Sequence, residues 1–100
     1  MRTLVLGAAV SGLAAARLAS DRGDSVTVYD RRPVHEPDLN LRSGEWDPAL
    51  LDDCELVVSS PGFPEHRGPI PDVLSSGVPL VSEMEFAMSQ MDVPYAAVTG

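Results

Sequence analysis

Three short stretches of this sequence hold residue types at spacings that can do chemistry. The first is Gly7-Ala8-Ala9-Val10-Ser11-Gly12, which follows an apolar run and opens an alanine-rich one. A turn between strand and helix leaves backbone N–H groups free to cradle an anion, and phosphate is the usual guest. Gly7 suits the tight turn and Gly12 suits close packing of helix on strand. The middle position, where a backbone approaches a pyrophosphate, is Ala9 rather than glycine. The second stretch is Asp30-Arg31-Arg32, with Asp30 placed 18 residues after Gly12. In dinucleotide folds an acidic residue there accepts hydrogen bonds from ribose hydroxyls. A guanidinium beside it binds phosphate or stacks on a flat ring. The third is Ser60-Pro61-Gly62, whose glycine permits close approach and whose serine offers a hydroxyl. Each has a plain alternative: a packed turn without ligand, a loop aspartate with two solvated arginines, and an ordinary bend.

Other chemistries are excluded by composition. The chain has no lysine, since all seven basic residues are arginine. A Schiff-base or phosphate-loop lysine therefore cannot come from these residues. Fifteen acidic residues give a formal charge of −8, which disfavours non-specific nucleic-acid binding. Cys54 is the single cysteine, so no intrachain disulfide exists, and it reads as a packing residue. His35 and His66 stand in proline-rich stretches without metal-ligand spacing, and metal ligands are not expected. No apolar stretch is long enough to span a membrane, and Gly7 interrupts the N-terminal run before a signal peptide could form. A cytoplasmic location is expected. No nucleophile–base pair stands at a convincing spacing, so no catalytic residues are assigned.

The elements that must position these stretches follow from the pattern. With 100 residues, one domain is expected. Thr3 to Leu6 reads as a buried strand, and Ala8 to Ser20 as a helix of strong helix formers ended near Gly23. Ser25 to Tyr29, β-branched and aromatic, reads as a second strand, which completes a right-handed βαβ unit. Leu39 to Arg42 fits a short strand, Asp47-Pro48 a helix start, and Leu56 to Ser59 a strand that delivers Ser60. Pro71 to Ser76 fits a helix stopped by Gly77. Val78 to Val81 fits an edge strand or one that begins at Pro79. Ser82 and Glu85 form a capping box. Met84, Ala87, Met88 and Met91 recur at helical spacing, as core or as a domain-facing patch. Tyr95 to Val98 fits a last strand. The fold expected is α/β: a Rossmann-like, doubly wound, mostly parallel sheet of five to six strands.

Taken in order, these motifs resemble the N-terminal domain of the Mur ligases. The resemblance rests on Val5-Leu6-Gly7, Ser11-Gly12-Leu13-Ala14, Asp30 with Arg32, and Ser60-Pro61-Gly62. Gly77-Val78-Pro79, Ser82-Glu83-x-Glu85 and Ala97-Val98-Thr99-Gly100 continue it. It is strongest toward the branch that adds D-glutamate to UDP-N-acetylmuramoyl-L-alanine. It implies a UDP-sugar-binding domain at 1–100, with a central ATPase and a C-terminal domain lying beyond. The chain stops where that family's ATP phosphate loop begins. ATP and Mg would belong to the parent enzyme and no cofactor to this piece, which alone would be inactive.

The resemblance also assigns roles. Val10 and Ser11 would offer backbone N–H groups to the diphosphate, with Gly7 and Gly12 shaping the loop. Asp30 would accept the uracil imide N–H and Arg32 would pack on the ring. Arg31 stands where relatives often carry a small hydroxyl residue. Ser60, Pro61 and Gly62 would wall the uridine pocket. Asp30 is expected to act on ligand rather than on the fold. The rival readings are an NAD(P)- or FAD-binding oxidoreductase domain, which the βαβ unit and Asp30 fit equally well, and a nucleotide-sensing regulatory module.

Overall fold

A computed structural model describes residues 1–59 and 68–90. Five parallel strands form one sheet: β1 (Arg2–Leu6), β2 (Ser25–Asp30), β3 (Asn40–Ser43), β4 (Leu56–Ser59) and β5 (Leu80–Ser82). Their spatial order is β3-β2-β1-β4-β5, the doubly wound order expected. Helices α1 (Val10–Asp21), α2 (Pro69–Ser76) and α3 (Glu83–Ser89) and a short 3-10 helix at Pro48–Leu51 connect and cover the strands. The expected final strand, Tyr95 to Val98, lies outside the described residues.

The sheet is buried on both faces where its central strands are apolar, at Leu4 to Leu6, Val28-Tyr29 and Val57-Val58. Residues alternate sides along each strand. Val5, Val28 and Val58 pack with Ala15, Ala16 and Ala19 of α1 and Phe86 of α3. Leu4, Leu6, Tyr29 and Val57 face the other way, against Leu51, Ile70 and Val73. The alanines of α1 carry little bulk, which lets that helix lie close on β1 and β2. Tyr29 meets Trp46 edge-on with ring centroids 5.2 Å apart. The Trp46 indole N–H donates to Asp72 (2.7 Å), which ties the segment after β3 to α2.

Sequence signals for element ends hold where their mechanism is local. Asp47 caps the 3-10 helix by accepting from the Ala49 N–H (3.0 Å). Gly77 ends α2 in the left-handed conformation. The Ser82–Glu85 capping box is complete. β5 begins just after Pro79, at the sheet edge among the described residues.

Of the two readings of the methionine spacing, core packing does not hold at Met84, and the domain-facing alternative is not contradicted. On α3 the buried residues are Glu83 and Phe86, whereas Met84 is 73% exposed. The helix turns its single aromatic ring to the core rather than the methionines, because Phe86 fills the space beside Val58 and α1. Met91 lies outside the described residues.

The opposite, amino-terminal ends of the strands are joined by a polar cluster. Asp24 accepts from the Thr3 hydroxyl and from Arg22 Nε, each at 2.8 Å. Burial alone would raise the Asp24 carboxyl, but the bonds from Arg22 and Thr3 outweigh it and hold the group below its usual range. Arg22 also lies over the Phe86 ring, 4.8 Å from its centroid.

Candidate functional site

In an open α/β sheet, ligands sit outside the carboxyl ends of the strands, where the strand order reverses. Here the reversal falls between β1 and β4, the strands that deliver Gly7 and Ser59. The glycine turn and Asp30 both lie at this edge. Ser60, Pro61 and Gly62 follow directly in the chain but lie outside the described residues.

Gly7 has φ 107°, a conformation that side chains rarely adopt, and its N–H donates to the Tyr29 carbonyl (2.8 Å). The chain thereby turns sharply off β1 while still tied to β2. Gly12 is buried in the first turn of α1. A Cβ there would fall 2.9 Å from the Gly7 carbonyl carbon and closer still to its oxygen. The two glycines therefore serve one contact, the passage of α1 over the end of β1. Ala9 caps the helix with φ −74° and ψ 177°, which any residue adopts, and it makes no side-chain cap hydrogen bond. Its methyl is exposed. The first N–H groups of a helix have no partner within it, so α1 presents Val10 and Ser11, both exposed, at an uncapped N-terminus.

Asp30 does more than sequence reasoning assigned to it. One carboxylate oxygen accepts from the Ala8 N–H (2.8 Å) and the other from the Arg32 N–H (2.9 Å). The side chain therefore ties the glycine turn to the end of β2 and folds Arg31-Arg32 back over itself. An ionised carboxylate has about four acceptor directions, so each oxygen keeps one for a ligand N–H. Arg31 and Arg32 are exposed. Arg31 is fixed through its backbone, whose carbonyl accepts from the Gly44 N–H (3.3 Å).

A residue not singled out for this site also stands at it. Glu83, the first residue of α3, is buried beneath the turn, and one of its carboxyl oxygens lies 3.4 Å from where a Gly12 Cβ would be. The signal was the Ser82-Glu83-x-Glu85 motif, in which only the capping pair drew attention.

Other groups are elsewhere. Cys54 donates its thiol to the Leu56 carbonyl (3.1 Å), and burial pushes that thiol up, away from nucleophilic use. A cavity of about 290 Å³ lies at the amino-terminal edge, lined by Arg2, Thr3, Ser25, Thr27 and Asp53. It is at the wrong end of the strands for the site above. His35 is exposed, and His66 lies outside the described residues. Among the described residues no group of His, Cys, Asp and Glu is placed to hold a metal ion. No helix among them is long and apolar enough to cross a membrane.

Comparison with known proteins shows what the chain is similar to. Residues 1–82 match the family described as Mur ligase MurD-like, N-terminal domain. The UDP-N-acetylmuramoylalanine–D-glutamate ligase of Halalkalibacterium halodurans is 36% identical over 97% of this chain and 24% of its own length. Those of Syntrophotalea carbinolica (37% over 97% of this chain) and Streptococcus uberis (35% over 99%) are similar to the same extent, each over 24% of its own length. This chain thus spans about a quarter of the curated relatives it matches. A crystal structure of a putative exported protein from Burkholderia pseudomallei shares the fold at TM-score 0.57 and 23% identity, over 81% of this chain and 45% of that one. The switch-point turn, its supporting aspartate and the family match over most of the sequence lead to one conclusion: the chain belongs to the MurD-like N-terminal domain family of the Mur ligases.

Proposed function

We propose that this domain anchors the uridine diphosphate end of UDP-N-acetylmuramoyl-L-alanine for an ATP-dependent ligase that joins D-glutamate to it. The observation that carries the reading is the pairing of an uncapped α1 N-terminus with Asp30 at the switch point. An uncapped helix N-terminus suits a diphosphate, through backbone N–H groups and the helix dipole. Asp30 has an acceptor direction left for the uracil imide N–H. Arg32, at the end of the same tight turn, offers a flat cation for the pyrimidine ring. Ser60, Pro61 and Gly62 would close the pocket from the end of β4, and Arg31 would lie at its rim.

The role of such a domain is positional. Gripping the nucleotide handle leaves the alanine carboxylate free to reach other domains, where it would be phosphorylated by ATP and attacked by the amine of D-glutamate. ATP and Mg would be held by the parent enzyme's central domain, since this chain has no lysine to serve a phosphate loop. The central ATPase and C-terminal domains are the natural partners. A cytoplasmic place in peptidoglycan synthesis, with the cell shape and division that depend on it, follows from the substrate.

Base recognition is the part most open to test. By titration calorimetry UDP should bind at least about tenfold tighter than ADP, the factor that one well-made hydrogen bond to a charged group supplies. Equal affinities would overturn the uridine assignment.

A further inference from the structure

Glu83 lies under the glycine turn with one oxygen, Oε1, buried and without a hydrogen-bond partner among the described residues. The residue is 8% exposed. The Ser11 side chain, on the first turn of α1, lies near enough to this carboxyl to pull its pKa down. Such an oxygen is costly to bury, and no partner among the described residues offsets the cost. The helix above it is the proposed diphosphate site, so an ionised Glu83 and a bound diphosphate would oppose each other across Gly12. A serine that donates to a carboxylate also has no proton left for a phosphate oxygen.

We propose that Glu83 is a positioning residue that couples diphosphate binding at the α1 N-terminus to the uptake of one proton. The inference rests on the uridine diphosphate reading above. When the anion arrives, Glu83 takes a proton from solvent. The neutral carboxyl then donates to Ser11 Oγ. The Ser11 hydroxyl turns outward and donates its own proton to a phosphate oxygen. One O–H bond forms on Glu83 with a proton taken from solvent, no bond between heavy atoms forms or breaks, and the complex gains one proton.

The surroundings suit this. Burial raises the Glu83 carboxyl above its usual range, while the Ser11 hydroxyl pulls it down by less. α3 packs against α1, β4 and β5. Neither β4 nor β5 carries an ionisable group. On and beside α1, Arg17 is paired with Glu36 and Asp38, and Arg22 is engaged with Asp24 and Phe86. Asp21 stands at the far end of that helix. Glu85 is exposed and occupied in the capping box. Asp30 is committed to Ala8 and Arg32. Among the described residues no cation therefore neutralises Glu83, and a proton can serve as the counter-charge.

The test is a calorimetric titration of the chain with UDP-N-acetylglucosamine between pH 5 and pH 8. In this diester neither phosphate titrates in that range. Affinity should fall with rising pH, toward about tenfold per pH unit once Glu83 is ionised in the free chain. Glu83→Gln should flatten this slope, because an amide donates to Ser11 at every pH, and should bind more tightly than wild type at pH 8. Ser11→Ala should bind more weakly at pH 5 and flatten the slope as well. The Glu83 carboxyl carbon, followed by 13C NMR in the wild-type chain, should titrate at higher pH with ligand than without. Parallel profiles for wild type and Glu83→Gln, or an unmoved carboxyl titration, would overturn the coupling alone. Absence of binding at every pH would overturn the diphosphate reading and this inference together.

Discussion

Gly12→Ala is expected to lower the unfolding free energy of this chain by about 3 kcal/mol, at the upper end of overpacking costs. The added methyl would fall 2.9 Å from the Gly7 carbonyl carbon and closer to its oxygen, with a Glu83 oxygen at 3.4 Å. Both Gly7 atoms are backbone, so no side chain can rotate away. Gly7 itself cannot retreat, because φ 107° and its bond to Tyr29 fix the exit from β1. α1 would have to lift off the sheet, opening its packing against Val5 and Val28. Gly23→Ala is the control. Its φ of 98° imposes strain, but nothing lies within 4 Å of the new carbon. Its cost should be about 1–2 kcal/mol, that of the left-handed backbone alone. Urea unfolding of the two variants measures both. A Gly12→Ala midpoint equal to that of wild type would mean that α1 and β1 do not meet as described.

Asp30→Ala should cost about 2 kcal/mol of stability in addition to nucleotide binding, since it removes two hydrogen bonds to a charged group, one of them at an exposed site. This departs from the sequence expectation that Asp30 serves ligand only. The Ala8 and Arg32 N–H groups that it satisfies would both lose their acceptor. Asp30→Asn separates the two roles. Its amide oxygen can keep one of the bonds, so stability should fall by less. UDP affinity should still drop about tenfold or more, because the imide N–H then meets a neutral amide in place of a charged acceptor. Thermal unfolding with a UDP titration of each variant decides. An Asp30→Ala chain as stable as wild type, with unmoved Ala8 and Arg32 amide resonances, would show that the carboxylate does not tie the turn.

The contrast between Asp30 and Gly12 marks what the sequence carries. The doubly wound order was legible because each signal behind it is local: apolar strands, glycine turns, an alanine-rich helix and a capping box. That the glycine turn and Asp30 share one edge was legible too, since the topology sends the ends of β1 and β2 there. What Asp30 does at that edge was not legible. Its partners, Ala8 and Arg32, are backbone N–H groups, and backbone groups leave no trace in residue type. Glu83 was hidden for a related reason. Helical spacing alone ranks a glutamate as solvent-facing and methionines as core, and only the packing of α3 on α1 reverses them. The exposed Met84 makes the same point, because tertiary contact rather than periodicity chose Phe86 as the buried side chain.

The central claim, that the switch-point turn and Asp30 hold a uridine diphosphate sugar, is tested most directly by mapping amide resonances. The chain is titrated with UDP-N-acetylmuramoyl-L-alanine and, at matched concentrations, with NAD. The account predicts shifts at Val10, Ser11, Asp30, Arg32, Ser60 and Gly62 with the UDP-sugar and few with NAD. Strong NAD shifts centred on Gly7 to Gly12, with none from the UDP-sugar, would contradict it and favour an oxidoreductase domain.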